Sequence, residues 1–190
     1  MNKLNLALHH VKENWFGVIT DPQNQLVASA FGPNKVLLEK YLAEYVRGNS
    51  RQQTSRDGHP FAECMAELFY DRKPSSSVKF NTEHVSPFQG RVTKILRFIP
   101  KRKVTTYGLI ARKIGSGPRA VGNAVASNPW PLFVPCHRVV SSTLSIGNYS
   151  MCGTLDERGS LIKRQLLERE EVPIKGDKIS PTGIWDPFGE

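Results

Sequence analysis

Short apolar runs separated by turn sequences occupy the first 32 residues. The runs at 4–9, 15–20 and 26–31 are rich in Val, Leu and aromatic residues, and Asp-Pro-Gln-Asn fills positions 21–24 between two of them. Runs of this length and composition, bounded by turn residues, are typical of paired strands. The pattern therefore predicts a small antiparallel sheet at the amino-terminal end of the chain.

Two helical patterns follow the predicted strands. After Gly32, apolar residues recur at a spacing of three and four until Gly48, which predicts a helix that could cover one face of the sheet. A second helical pattern, over residues 60–70, forms a single apolar stripe made of Phe61, Cys64, Met65, Leu68 and Phe69. We therefore expect Cys64 to be a core residue.

Three further helices are predicted in the second half of the chain. Residues 87–98 have apolar positions at helical spacing with basic residues between them, so this helix has one apolar and one cationic face. Residues 106–114, which Thr105 or Thr106 could cap, are joined to a helix over 118–127 by Gly-Ser-Gly. Two short helices joined by a glycine-rich turn are typical of a helix-turn-helix.

The second helix of this pair has unusually small side chains. Gly122 in its middle weakens a helix by about 0.8 to 1 kcal/mol relative to alanine, so a role in close approach would explain its presence. Small residues allow a helix backbone to approach another body, either a packed helix or a DNA groove. The small residues are Ala120, Gly122, Ala124 and Ala126.

A connecting segment divides the chain. Residues 71–87 contain Pro74, three consecutive serines and few apolar residues, as linkers between structural units do. We predict an α/β (α+β) fold with an amino-terminal sheet-and-helix domain over 1–80, a mostly helical domain over 81–172, and a tail over 173–190. The tail could cap the protein or extend from it.

Charge is distributed unevenly along the chain. The net charge is +9, yet residues 84–155 contain ten Lys and Arg and no Asp or Glu, whereas the rest of the chain holds 16 bases and 17 acids. A purely basic segment attracts a polyanion, and nucleic acid is the first candidate. A basic surface that serves solubility is the alternative, although acids are normally interspersed in such surfaces.

Hydropathy and cysteine content exclude other classes. The mean hydropathy is −0.37, no run of 18 apolar residues occurs, and the first 11 residues do not resemble a signal peptide. We expect a soluble, cytoplasmic protein without a membrane partner. Three cysteines without a Cys-x-x-Cys pair fit neither a disulfide framework nor a four-cysteine zinc site, so at least one thiol should be free.

A cysteine and a histidine stand side by side in an apolar, β-prone run. Cys136 and His137 lie within Val-Pro-Cys-His-Arg-Val-Val at 134–140. A nearby imidazole or cation would lower the pKa of the thiol and make it nucleophilic. In a strand, however, adjacent side chains point to opposite faces, and a buried cysteine beside a surface histidine would give the same sequence.

The residues around Cys136 resemble the signature of the O6-alkylguanine-DNA alkyltransferases, which repair DNA by alkylating themselves. The match extends, in order and near the family's spacing, over about residues 86–171. The motifs that carry it are Ser86-Pro87-Phe88-Gln89, Ile99-Pro100, Thr106-Tyr107-Gly108, Pro118-Arg119-Ala120-Val121-Gly122-Asn123-Ala124, Asn128-Pro129, Pro135-Cys136-His137-Arg138-Val139 and Gly147-Asn148-Tyr149-Ser150.

The resemblance implies that the helix-turn-helix enters the minor groove of double-stranded DNA. Arg119 would replace the extruded nucleotide in the base stack, and Tyr107 would help to rotate the damaged base out of the duplex. Base flipping is required because the O6 substituent is inaccessible in stacked DNA. The other DNA-binding residues implied are Thr106, Ala120, Gly122, Asn123 and Ala126.

The resemblance also implies a single, irreversible transfer of the alkyl group from O6-alkylguanine, and less readily from O4-alkylthymine, to Cys136. Glu170 and His137 would deprotonate the thiol through a water molecule, Tyr107 would donate to N3 of the purine, and Asn128 would hold the turn that carries the cysteine. No metal or organic cofactor is expected, and the protein should act as a monomer near the nucleoid, or in the nucleus of a eukaryote. The alkylguanine pocket would be lined by Tyr149, Ser150, Val139, Pro131 and Met151.

The chain departs from the family pattern after Ser150. Two glycines usually follow there, whereas Met151-Cys152-Gly153 stand here in a longer loop. Met151 would narrow access for large alkyl groups, and Cys152 would place a second thiol near the site. The alignment of Glu170 crosses this loop, and Glu168 and Glu171 lie close by. The zinc pattern of some members is absent, because Cys64, His9, His10 and His59 do not reproduce it.

Three other functions are alternatives to this one. An alkyltransferase-like protein that only binds the lesion would lack the cysteine. A transcription factor that senses alkylation usually carries extra domains, for which the chain has little room. A cysteine hydrolase normally takes its Cys and His from separate segments and needs an oxyanion hole.

Overall fold

The computed structural model describes residues 4–46, 56–149 and 157–189, which form two compact units. The first unit contains the described residues up to 84 together with 129–133, and the second contains 85–128, 134–149 and 157–189. No helix among these residues is both long and apolar enough to span a membrane.

The first unit is built on the antiparallel sheet that the sequence predicts. Strands β1 (Asn5–Val11), β2 (Asn14–Thr20) and β3 (Leu26–Gly32) form a meander, and the short β4 (Arg56–Asp57) pairs parallel to β1, giving the order β3-β2-β1-β4. Leu8 lies opposite Gly17 across β1 and β2. The mixed α/β fold is therefore confirmed.

Two helices cover the two faces of this sheet. Helix α1 (Lys35–Val46) places Leu38 and Leu42 against one face, where a Cβ on Gly17 would collide with the Leu42 side chain, so only glycine admits this close packing. Helix α2 (Pro60–Phe69) packs Phe69 against aromatic residues of the other face. Burial on both faces explains why β3 is buried along its whole length rather than at alternate positions. Cys64 is fully buried on α2, as expected.

Residues 129–133 differ from the sequence-based division, which places them in the second domain. The fully buried Trp130 donates its indole N–H toward Leu26 O (3.1 Å) and Val27 O (2.9 Å) and packs on Phe80. The backbone N–H of Ser29 donates to Pro129 O at 2.8 Å. These bonds hold the segment against the edge of β3, so it belongs to the first unit.

The second unit begins with three helices at the predicted positions, α3 (Pro87–Phe98), α4 (Tyr107–Ile114) and α5 (Pro118–Ala126). The Thr106 hydroxyl accepts from the Leu109 N–H at 3.1 Å, which makes Thr106 the cap of α4. Gly115 ends α4 with φ 65°, a conformation that favours glycine. Proline, glycine and hydroxyl residues thus determine where each helix begins and ends.

The run at 134–140 is not the strand that its composition suggests. Cys136–Arg138 forms a single 3₁₀ turn, followed by the two-residue strand β6 (Val139–Val140), which pairs parallel to β5 (Thr105–Thr106). Pro135 precedes the turn and has no N–H to offer a sheet. The turn removes the strand geometry that would separate the side chains of Cys136 and His137.

The carboxy-terminal residues join the core of the second unit instead of trailing. After α6 (Glu157–Arg169), strands β7 (Ile174–Lys175) and β8 (Lys178–Ile179) form a hairpin. Trp185 N–H then donates to Val104 O at 2.7 Å. The tail supplies apolar residues to a cluster formed by Val104, Val140, Ile146, Leu167, Val172 and Ile179, with Leu144, Ile174 and Ile184 packed against it.

Candidate active site

Cys136 lies in the 3₁₀ turn and is 7% exposed, and among the described residues its sulfur is hydrogen-bonded to two side chains. The Asn128 side-chain amide donates to Val134 O (3.0 Å) and to Cys136 Sγ (3.1 Å), and the Tyr149 hydroxyl lies 3.4 Å from the same sulfur. Asn128 therefore fixes both the approach to the turn and the thiol. The structure brings together Asn128, Cys136 and Tyr149, which the resemblance groups in one site.

Burial raises the pKa of the Cys136 thiol, although the hydrogen bonds from Tyr149 and Asn128 and the charge of Lys163 oppose this effect. Neighbouring groups do lower this pKa, as expected, but burial outweighs them because a thiolate in a dry interior loses more solvation than these groups return. The resting cysteine is a thiol. A base must take its proton at the moment of reaction.

His137 and Glu170 form a buried pair, with Nε2 of the imidazole 2.9 Å from Oε1 of the carboxylate. Burial opposes ionisation of Glu170, but hydrogen bonds from His137 and Arg138 outweigh it and lower its pKa to about 2. The ionised carboxylate can only accept, so Nε2 carries the proton and Nδ1 keeps a lone pair. Nδ1 is buried and has no hydrogen-bond partner among the described residues.

The imidazole of His137 is uncharged in this environment. Burial lowers its pKa, and the positive charges of Arg138 and Lys163 add to this effect, whereas Glu170 opposes it. A neutral imidazole with a free lone pair is the form that accepts a proton. The pair can therefore act as a general base assisted by a carboxylate.

Lys163 is a site residue that the sequence analysis missed. It is 2% exposed, and its ammonium group donates to Val139 O at 2.7 Å. Burial lowers its pKa to about 8, and a thiolate at Cys136 would oppose this shift. A signal was available in the sequence, since Lys163 shares the apolar stripe of α6 with Leu166, Leu167 and Glu170 at helical spacing.

We expect Lys163→Met to change how stability depends on pH. The pKa of Lys163 falls from 10.5 to about 8 on folding, so between these values the unfolded state binds more protons and stability rises with pH. In the wild-type protein, the titration of Lys163 should therefore raise the unfolding free energy by about 3 kcal/mol as the pH increases across this range. Denaturant unfolding of both proteins at several pH values checks this, and a difference between them that stays constant from pH 8 to pH 10.5 would contradict it.

The residues that the resemblance assigns to DNA binding lie mainly on one exposed face of α5. Arg119, Ala120, Asn123 and Ala126 are exposed and Gly122 is half-buried, whereas Val121, Ala124 and Val125 are buried on the opposite face. A Cβ on Gly122 would meet no described atom within 4 Å. The sequence suggested that small residues here allow close approach either of a packed helix or of a DNA groove. Close packing against another helix of the protein therefore does not explain Gly122.

Tyr107 and Thr106 lie where α4 begins. Thr106 is buried and caps the helix, so among the described contacts its hydroxyl is already engaged within the protein. Tyr107 is half-buried, and burial raises the pKa of its hydroxyl, which a thiolate at Cys136 would raise further. This hydroxyl therefore stays protonated at neutral pH and can donate a hydrogen bond.

The other residues predicted to line the alkylguanine pocket do not all lie in the described part of the second unit. Val139 is buried directly after the 3₁₀ turn, and its carbonyl already accepts from Lys163. Pro131 belongs to the first unit, within residues 129–133. Ser150, Met151 and Cys152 lie outside the described residues, so their roles in the pocket stay predictions.

Two histidines outside the site have local partners. The His59 ring accepts from the Phe61 N–H and caps α2, and His10 stacks on Trp15 at 4.3 Å between ring centroids. Within the described part of the chain, His, Cys, Asp and Glu do not gather in groups of three that could hold a metal ion.

Comparisons with known proteins agree with this geometry. The family model described as 6-O-methylguanine DNA methyltransferase, DNA binding domain, matches residues 87–172. A methylated-DNA–protein-cysteine methyltransferase of Saccharolobus islandicus is 34% identical over 161 residues, which cover 84% of this chain and 97% of that protein. The corresponding protein of Thermococcus gammatolerans is 35% identical over 167 residues, covering 85% and 91%.

A solved structure extends the similarity beyond the matched domain. The O6-methylguanine-DNA methyltransferase of Pyrococcus kodakaraensis has a TM-score of 0.70 and 30% identity, covering 90% of this chain and 100% of that one. The resemblance that the motifs indicated is thus confirmed. The chain belongs to the 6-O-methylguanine-DNA methyltransferase family.

Proposed function

We propose that this protein repairs double-stranded DNA by transferring the alkyl group of O6-alkylguanine to Sγ of its own Cys136. The observation that carries the proposal is the buried thiol of Cys136, held by Asn128 and Tyr149, next in sequence to a neutral imidazole that Glu170 orients. The names of the family's members support the same substrate class.

The thiol must lose its proton before it can attack. Nδ1 of His137 has no hydrogen bond to Cys136 Sγ, so it accepts this proton through a water molecule, and Glu170 stabilises the imidazolium that forms. The thiolate is short-lived, because burial disfavours it. Lys163 and the hydrogen bonds to sulfur reduce this cost while the reaction proceeds.

The transfer itself is a displacement at carbon. The sulfur–carbon bond forms as the bond between that carbon and O6 breaks, and the electron pair of the broken bond remains on the purine. Tyr107 donates to N3 of the purine, so the negative charge that would develop there is neutralised. The thioether that remains on Cys136 has no leaving group that the site could activate, so one molecule acts once.

The exposed face of α5 binds the DNA. Small side chains at Ala120, Gly122 and Ala126 allow the helix backbone to approach a groove, and Arg119 enters the base stack in place of the flipped nucleotide. The absence of acids from residues 84–155 leaves the cations of this segment without nearby opposing charge in sequence. One chain supplies Cys136, His137 and Glu170, so a monomer is sufficient for the reaction.

Intact mass tests the proposal. Incubation with duplex DNA that carries O6-methylguanine should add one methyl group, about 14 Da, to the wild-type protein and to Cys152→Ser and Cys64→Ser, but not to Cys136→Ser. A mass increase that disappears in Cys152→Ser instead would move the nucleophile to that residue. DNA binding without any mass increase in the wild type would identify a lesion-recognition protein and overturn the proposal.

A further inference from the structure

Arg138 is the third member of the buried group around Glu170. Its side chain is 11% exposed and donates from Nε to Glu170 Oε2 and from Nη2 to Glu170 Oε1, both at 2.7 Å. Its third donor, Nη1, reaches Ile99 O at 2.7 Å, where α3 ends. The guanidinium therefore joins the 3₁₀ turn, the end of α6 and the end of α3.

The two residues after Cys136 share one carboxylate oxygen. Oε1 of Glu170 accepts from both His137 Nε2 and Arg138 Nη2, while Oε2 accepts from Arg138 Nε. A paired arrangement of this kind restricts a carboxylate more than a single hydrogen bond does. Glu170 can therefore meet the imidazole from one direction only.

The charged side chains that surround His137 have a net positive charge. Glu170 and Lys163 approach from α6, Arg138 and the uncharged thiol of Cys136 belong to the turn itself, and Tyr149 contacts the sulfur. Arg138 cancels the charge of Glu170, and Lys163 adds a positive charge. A proton on His137 would then be a second uncompensated positive charge in a buried site.

We propose that Arg138 is a positioning residue that holds Glu170 for His137 and keeps the imidazole uncharged and ready to accept the thiol proton. The inference rests on the proposed function, since it assigns His137 the role of base. With Glu170 alone, His137 and the carboxylate would form a buried ion pair whose imidazolium could accept no further proton. Arg138 prevents this by satisfying the carboxylate first.

A purely structural role makes different predictions. If Arg138 only tied the turn to Ile99 O, its loss would slow alkyl transfer equally at every pH and would leave the titration of His137 unchanged. If it also controls the charge of the imidazole, its loss should raise the pH at which His137 titrates. The two roles can therefore be separated by substitutions that keep or remove the charge.

The test compares Arg138→Met, which removes the charge, with Arg138→Lys, which keeps it but loses the paired geometry. NMR titration of the His137 ring, assigned with His137→Gln, is recorded on the unreacted protein without DNA. We expect the midpoint to rise by about one pH unit in Arg138→Met and to stay near the wild-type value in Arg138→Lys. If Arg138→Met does not fold, Arg138→Gln takes its place.

The rate of transfer to Cys136 gives the second measurement. In Arg138→Met, the acid limb of the pH–rate profile should shift to higher pH by the same amount as the NMR midpoint. In Arg138→Lys, it should lie near its wild-type position. Equal midpoints in all three proteins would overturn the inference, whatever the rates. Because the titration needs no reaction, a protein that shifts as expected but transfers no alkyl group would contradict the proposed function and leave the charge control by Arg138 in place.

Discussion

Glu170→Gln should slow alkyl transfer on the order of a hundredfold or more and should also destabilise the protein. The amide keeps the size of the side chain and one acceptor, but it removes the negative charge that stabilises a protonated His137 and balances Arg138. Arg138 would remain as a buried cation without its ion pair, and loss of one partner of such a pair typically costs about 3 to 5 kcal/mol.

Acid unfolding gives an independent measure of how much Glu170 contributes to stability. The pKa of Glu170 falls from 4.5 to about 2 on folding, so its contribution is fully present above pH 4.5 and is lost as pH falls toward 2. The size of this contribution at neutral pH is about 3 kcal/mol. The pH dependence of the unfolding free energy between these values should therefore become shallower in Glu170→Gln.

Two neighbouring glutamates provide matched controls. Glu168 pairs with Arg164, and Glu171 pairs with Arg102, and both carboxylates are exposed. Glu168→Gln and Glu171→Gln should each change stability by less than about 1 kcal/mol and leave the transfer rate unchanged, because exposed ion pairs contribute little. A loss of activity in either of them that equals the loss in Glu170→Gln would refute the assignment of the carboxylate.

Truncation before Gly176 should prevent cooperative folding of the second unit. It removes the buried Ile179 together with Ile184, which packs against the same cluster. It also removes the hydrogen bonds of Gly183 O and the Trp185 N–H to the backbone of Val104. Loss of one buried isoleucine side chain costs about 2 to 5 kcal/mol, so the sum approaches the whole stability of a typical domain.

Milder variants keep this prediction testable if the truncated chain does not accumulate. Ile179→Ala should fold and lose about 2 to 5 kcal/mol in denaturant unfolding. Removal of residues 186–190 alone should cost about 1 kcal/mol, since Phe188 is half-exposed and its described ring contacts are with the cations of Arg112 and Lys113. A truncation before Gly176 that unfolds at the wild-type denaturant concentration would show that the tail contributes nothing.

Local patterns were sufficient to predict helices α1 to α5 and strands β1 to β3, but not the two-residue strands β4 to β8. The limits of α3 were predicted to the residue, because Pro87 begins the helix and Pro100 closely follows its end. The run at 134–140 has a β-prone composition, but it forms a 3₁₀ turn after Pro135 instead of a continuous strand. A hydrophobic pattern reports which residues are buried, but it does not report whether a buried segment is extended or turned.

Only the residues that the family resemblance assigns to the candidate site could be predicted from the sequence. Cys136, His137 and Glu170 were expected together, and the structure places the last two within 2.9 Å. Lys163 and the pairing of Arg138 with Glu170 were not expected, because both depend on α6 meeting the turn across a separation of 24 to 32 residues in sequence. The net rise of the Cys136 pKa was not expected either, because the burial that causes it is a property of the folded core.

Trp130 lies in the core of the first unit although the chain has by then already traced three helices of the second. The packing of the first unit is therefore not complete when the strands of its sheet have left the ribosome. The first unit must wait for about a further 50 residues of synthesis before the indole can reach β3, so the two units cannot fold strictly one after the other. Interruption of translation between residues 84 and 130 would leave the Trp130 binding surface of the sheet exposed to aggregation.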